Sequence, residues 1–207
     1  MAGDSINHPL ERLIFFSDAV FAIAITLLVI EIHVPHLAAG SSDGGHLEAL
    51  ARLIPNFVGF IISFAVIGMF WAGHHRAFSL ARHFYGGVVA WNLMLLGTIA
   101  FMPFVTAYLS AHSGARVPAI LYWSWLTLTA VLNLKVNSMA TRPPMASGHV
   151  ESQEGAIVRR RSRSVLFGAI TSLVIATIYP YAAPLGMITI PAWKWLLDRM
   201  TRPASSG

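Results

Sequence analysis

Apolar residues along this chain fall in long, nearly unbroken runs, and polar residues gather between them. Several runs reach the ~20 residues that a helix needs to cross a bilayer. Six membrane-spanning helices are predicted, over about residues 13–34, 53–72, 84–109, 118–136, 165–179 and 185–197. Pro35 and a Gly/Ser-rich loop over 36–46 end the first segment. A polar stretch over 137–164 holds Pro143, Pro144, Gly148 and the basic run Arg159, Arg160, Arg161 and Arg163, and reads as a cytoplasmic loop. Pro180, Pro184 and Gly186 separate the last two segments. Pro103 predicts a kink in the third, because its nitrogen carries no hydrogen to donate. The chain reads as one all-α membrane domain over residues 1–207.

Composition sharpens this picture. Hydrophobic residues make up 56% of the chain and charged residues 11%, whereas a soluble domain carries roughly a quarter charged. A soluble fold would leave too much apolar surface in water. Cysteine is absent, which excludes disulfides, thiolate metal sites and a cysteine nucleophile. The segment before residue 12 has no basic n-region, so the first span is expected to be retained rather than cleaved.

The net charge of +5 raises the question of a nucleic-acid partner, but the basic residues lie between spans. With the N-terminus inside, Arg12, Arg76, Arg82, Arg142, Arg159, Arg160, Arg161, Arg163, Arg199 and Arg202 fall on the inner side. Only Arg52 and Arg116 fall outside. Topology explains this asymmetry, with both termini cytoplasmic, and no nucleic acid is expected. The run 159–163 reads as the flank of the fifth span with weak affinity for anionic lipid. Trp123, Trp125, Trp193 and Trp195 read as interfacial aromatics.

Two features of the first segment carry chemistry. At about 100° per residue, Ile23, Thr26, Leu27 and Ile30 share one face, and Asp18 points to nearly the opposite side. Copies of this helix around an axis would stack rings of Ile23, Leu27 and Ile30 into a constriction able to gate by dewetting, with a ring of Thr26 hydroxyls inside it. Glu31, one turn beyond Leu27, would gather cations at the outer mouth. From spacing alone, a stripe facing lipid or neighbouring helices is the commoner outcome. Asp18 in hydrocarbon demands a partner; Arg12, His74, His75, Arg76 and the Trp71 indole lie at its depth. Asn92 begins the third span there too, and one polar network joining the first three spans is expected.

Nine histidines invite a metal reading, yet only His74 and His75 adjoin, and successive helix positions do not converge on one ion. No metal and no cofactor are expected. No GxSxG, Walker loop or GxGxxG motif occurs, so an enzyme is not expected. The potassium-filter string TVGYG is also absent.

At these residues the sequence resembles a known family. Arg12-x-x-x-Phe16-Ser17-Asp18, followed by Ala-Val-Phe-Ala-Ile-Ala-Ile-Thr-Leu-Leu-Val, is similar to the signature of bacterial homologues of transmembrane protein 175, the endolysosomal potassium channel. Trp71-x-x-His74-x-x-x-Phe78 and the segment Asn92 to Phe104 extend the resemblance over the first three spans. It implies six spans per subunit and a homotetramer in the bacterial inner (cell) membrane, with the first helix lining the pore. It implies conduction of potassium, and less readily of other monovalent cations, past a hydrophobic bottleneck that falls on Ile23, Leu27 and Ile30. Thr26 becomes the hydroxyl ring that aids selectivity. Arg12, Phe16, Ser17, Asp18, Trp71, His74 and Asn92 match the structural polar network. Partners implied are further copies of the chain and membrane lipids. The alternative is a proton-coupled secondary transporter working through Asp18 and His74.

Overall fold

The computed structural model describes residues 8–146 and 153–200, all of them helical or in short connections. Helix α1 spans His8–Ile30, α2 Asp43–Arg52, α3 Ile54–Ser79, α4 Gly87–Ala100, α5 Met102–Ala111, α6 Arg116–Ala140, α7 Gln153–Ile178, α8 Leu185–Ile188 and α9 Ile190–Met200. Among the described residues, five stretches are long and apolar enough to cross a membrane: α1, α3, the α4–α5 pair, α6 and α7.

Several borders differ from those expected of hydropathy. The first helix runs over 8–30 rather than 13–34, because Glu11 and Arg12 are as helix-compatible as their apolar successors. Helix α2 begins inside the loop expected over 36–46 and fills the connection up to the second span. Its N-cap Ser42 accepts a hydrogen bond from the Gly45 N–H at 3.3 Å, and Arg52 pairs with Glu48 one turn back at 2.7 Å. The polar stretch 137–164 is helical at both ends, since α6 reaches Ala140 and α7 starts at Gln153. Charged residues interrupt a hydropathy window without interrupting a helix. The kink at Pro103 appears as a break at Phe101, between α4 and α5. The sixth segment is two pieces joined at Thr189. At 1.5 Å per residue, 185–200 extends about 24 Å, short of a ~30 Å hydrocarbon core.

The connections sort into two ends. At one, the backbone N–H groups of Arg82 and His83 donate to Met145 O at 2.7 and 3.0 Å, so the α3–α4 and α6–α7 connections adjoin. At the other, Tyr181 Oη donates to Ser113 O at 3.4 Å. From there α8 and α9 turn back along α7. Gly186 meets Ser172, Trp193 Nε1 donates to Thr171 Oγ1 at 3.3 Å, and Asp198 reaches Arg160 at 3.2 Å. A β-carbon on Gly186 would lie 2.6 Å from Ser172 Cα, against backbone that cannot swing aside. Gly186→Val is therefore expected to cost about 1–3 kcal/mol by overpacking, read as a lower melting temperature in detergent.

α1 packs on α3, α4 and α5, and α6 with α7 forms the broadest pairing on the other side. Polar side chains stitch the helices where hydrocarbon offers no water. Thr106 Oγ1 meets Ser63 Oγ at 2.8 Å, and Ser63 meets Tyr122 Oη at 2.9 Å, joining α5, α3 and α6. Asn137 donates to Ser162 across α6 and α7 at 3.0 Å. Arg159, expected to face lipid headgroups, is buried, and its Nη1 donates to Thr141 Oγ1 at 2.8 Å and to Thr141 O at 3.1 Å. Trp123, expected at the interface, is likewise in the core.

Candidate functional site

Helix α1 presents two faces of opposite character. Leu10, Leu13, Ser17, Phe21, Ala24 and Leu28 recur at three- and four-residue steps and are buried against the rest of the subunit. Phe21 and Ala24 are 1% exposed and Leu28 is 2% exposed. Ile23, Leu27 and Ile30 are 57%, 39% and 67% exposed, and Thr26 is exposed between them. Among the described residues, none packs over that stripe to bury it. Thr26 Oγ1 donates to Ile23 O at 2.9 Å. Its hydrogen is thus committed to its own helix, and its lone pairs point away from the backbone. Glu31 follows the last helical residue, half-buried.

The buried face holds a directed chain of hydrogen bonds. Ser17 Oγ donates to Leu13 O at 2.8 Å, and Asn92 Nδ2 donates to Ser17 Oγ at 2.8 Å. That leaves Asn92 Oδ1 as the acceptor facing His74 Nε2 at 2.9 Å, so Nε2 carries the hydrogen. The three side chains come from α1, α4 and α3, and all three are at most 0% exposed. His74 stacks on Phe78, with ring centroids 4.3 Å apart, and Phe21 closes its other side at 5.5 Å. Its Nδ1 is buried without a hydrogen-bond partner.

Asp18 stands beside this chain rather than in it. Of its possible partners, the Trp71 indole reaches it: Nε1 donates to Oδ1 at 2.9 Å. Both residues are more open than the triad. The single network expected from sequence is therefore two, a buried one through Ser17, Asn92 and His74, and a half-open pair, Asp18 and Trp71. Arg12 and Phe16 join neither. They are exposed on the outer side of α1 and line a groove with Phe84, Val89 and Leu93. Leu13 O and the aromatic walls around His74 escape sequence reasoning, since a backbone acceptor has no sequence mark. Phe21 and Phe78 both lie within the motifs that carry the family resemblance, which gave neither a role.

The arrangement is a helix fixed firmly along one face and left bare along the other. The sequence model of the family described as endosomal/lysosomal potassium channel TMEM175 matches residues 12–103, the segment that contains the exposed stripe, the buried polar chain and the Asp18–Trp71 pair. A potassium channel of Chamaesiphon minutus is 36% identical over 156 residues, covering 73% of this chain and 76% of that protein. The endosomal/lysosomal proton channel TMEM175 of Rattus norvegicus is 32% identical over 120 residues; these are 55% of this chain but 24% of that one. The solved structure of a lysosomal potassium-selective channel TMEM175 homologue from Chamaesiphon minutus superposes with a TM-score of 0.76 at 29% identity, over 92% of this chain and 98% of the other. With its membrane-length helices, this chain is a multi-pass membrane protein that belongs to the TMEM175 channel family.

Proposed function

We propose that the chain forms a cation channel that prefers potassium to sodium, built as a homotetramer around a central axis lined by α1. The observation that carries this reading is the bare apolar stripe on a helix whose opposite face is pinned by a buried polar chain. Rings of Ile23, Leu27 and Ile30 form the constriction, which excludes water until the helices separate or turn. Thr26 offers outward lone pairs, a chemistry that suits a cation and not an anion. Glu31 marks the outer mouth and concentrates cations there. Ser17, Asp18, Trp71, His74 and Asn92 hold the pore helix without touching the ion.

In this reading α8 and α9 serve together as a short, broken sixth crossing. The pairing of Asp198 with Arg160 supports a chain end on the arginine-rich side, which the positive-inside rule assigns to the cytoplasm of a bacterial cell. No cofactor takes part; potassium is the permeant ion.

Flux from liposomes containing the purified protein tests this. Potassium flux that does not saturate and exceeds sodium flux supports the channel. The animal relatives carry the name proton channel, and flux that saturates and runs only with a proton gradient would instead favour a proton-coupled transporter. Thr26→Val, which keeps the shape and removes the oxygen, is expected to bring the potassium-to-sodium ratio towards one while leaving total flux within about threefold, a barrier change well under 1 kcal/mol.

A further inference from the structure

Between α3, α7 and α9 lies a cleft of about 470 Å³ lined by no residue of α1. Its rim carries three cations, Arg76, Arg161 and Lys194, one from each helix. None of them has an acidic partner among the described residues, and no carboxylate lines the cleft. Asp198, on the same face of α9 as Lys194, is engaged by Arg160. Below the rim the walls turn apolar, with Met69, Val165 and Ile190. Met69 lies about 10 Å of helix deeper than Arg76. Asn133, which is 4% exposed, also lines the cleft, and its side-chain amide nitrogen is buried with no partner.

We infer that this cleft is a binding site for an anionic phospholipid. Its phosphate and charged headgroup meet Arg76, Arg161 and Lys194, and one acyl chain lies along Met69, Val165 and Ile190. The order of groups is that of such a lipid, charge outermost and hydrocarbon beneath, at the end of the bundle where the arginines collect. A free phosphate ion would need the cations and leave the apolar wall idle. A zwitterionic lipid would bring one compensating cation of its own into a rim that already holds three. Basic pockets between membrane helices on the inner side are the usual seats of anionic headgroups. Occupancy would tie α9 to α3 through a shared ligand, so the lipid acts as a clamp on the last helix.

Native mass spectrometry of the full chain in mild detergent tests this, with dioleoyl-phosphatidylglycerol and dioleoyl-phosphatidylcholine titrated separately. One phosphatidylglycerol per chain is expected to bind about tenfold or more tightly than phosphatidylcholine, at about fivefold per cation. The doubly neutralised variant R161Q/K194Q, altered only at the rim, is expected to lose that preference and keep the wild-type melting temperature without lipid. Val165→Phe keeps all three cations and fills the wall, and is expected to weaken phosphatidylglycerol equally. Wild-type affinity in R161Q/K194Q overturns the site. Unchanged affinity in Val165→Phe reduces it to surface charge and overturns the cleft. Displacement of phosphatidylglycerol by millimolar inorganic phosphate assigns the rim to a free anion and overturns the lipid.

Discussion

Ile23→Asn is expected to raise resting potassium flux through reconstituted protein by about tenfold or more, on the proposed tetrameric pore. Each isoleucine removed from a dry ring takes away about 1.5–3 kcal/mol of aversion to water, and a central ring loses one from every subunit. Lowering the barrier to wetting by only about 1.4 kcal/mol speeds passage about tenfold. The decisive comparison lies on the same helix. Leu28 is 2% exposed on the packed face, so Leu28→Asn is expected to lower the melting temperature and the yield of folded protein without opening a leak. Equal flux for wild type and Ile23→Asn, at equal amounts of folded protein, would mean that the stripe faces lipid and that ions pass elsewhere.

Asn92→Leu is expected to destabilise the subunit by about 1–3 kcal/mol. The substitution removes two buried hydrogen bonds, the donation to Ser17 and the acceptance from His74. Such bonds between membrane helices contribute about 0.6–1.7 kcal/mol each. His74 fares worse than a bond count implies. Its Nδ1 has no partner already, so loss of Asn92 leaves both ring nitrogens bare in a pocket walled by Phe21 and Phe78, where a polar group without a partner costs the most. A fall in melting temperature of about 3 °C or more in detergent is the expected reading. Melting at the wild-type temperature would mean that apolar packing alone seats α1. Trp71→Phe, which breaks the half-open pair with Asp18, makes a milder companion.

How far this was legible in the sequence depended on what each signal measures. Hydropathy registers desolvation, so it located the long apolar helices and misplaced their ends wherever a helix continues into charge, as at Gln153 to Arg163. It could not register direction in α1, where nearly every residue is apolar and the two faces differ only by what packs on them. Ser17 was the visible mark of the packed side, and Asp18 pointed to a partner without choosing among five. Trp71 wins because its rigid indole presents one donor at the right depth, whereas Arg12 sits on the outer side of the helix. Arg159 misled in the opposite sense. A guanidinium within an arginine run reads as surface, yet the Thr141 carbonyl and hydroxyl give it a seat inside. Geometry of that kind, one residue reaching a backbone oxygen in another helix, leaves no pattern in a chain read alone.

The polar chain on α1 also has a history in time. Its members are Leu13, Ser17, His74 and Asn92, and none lies beyond residue 92. Synthesis delivers the chain from its N-terminus, so every member of this polar chain is made before α6 to α9 are. The polar attachment of the first helix therefore asks nothing of α6 to α9, and the first three spans carry within themselves all the groups that make it.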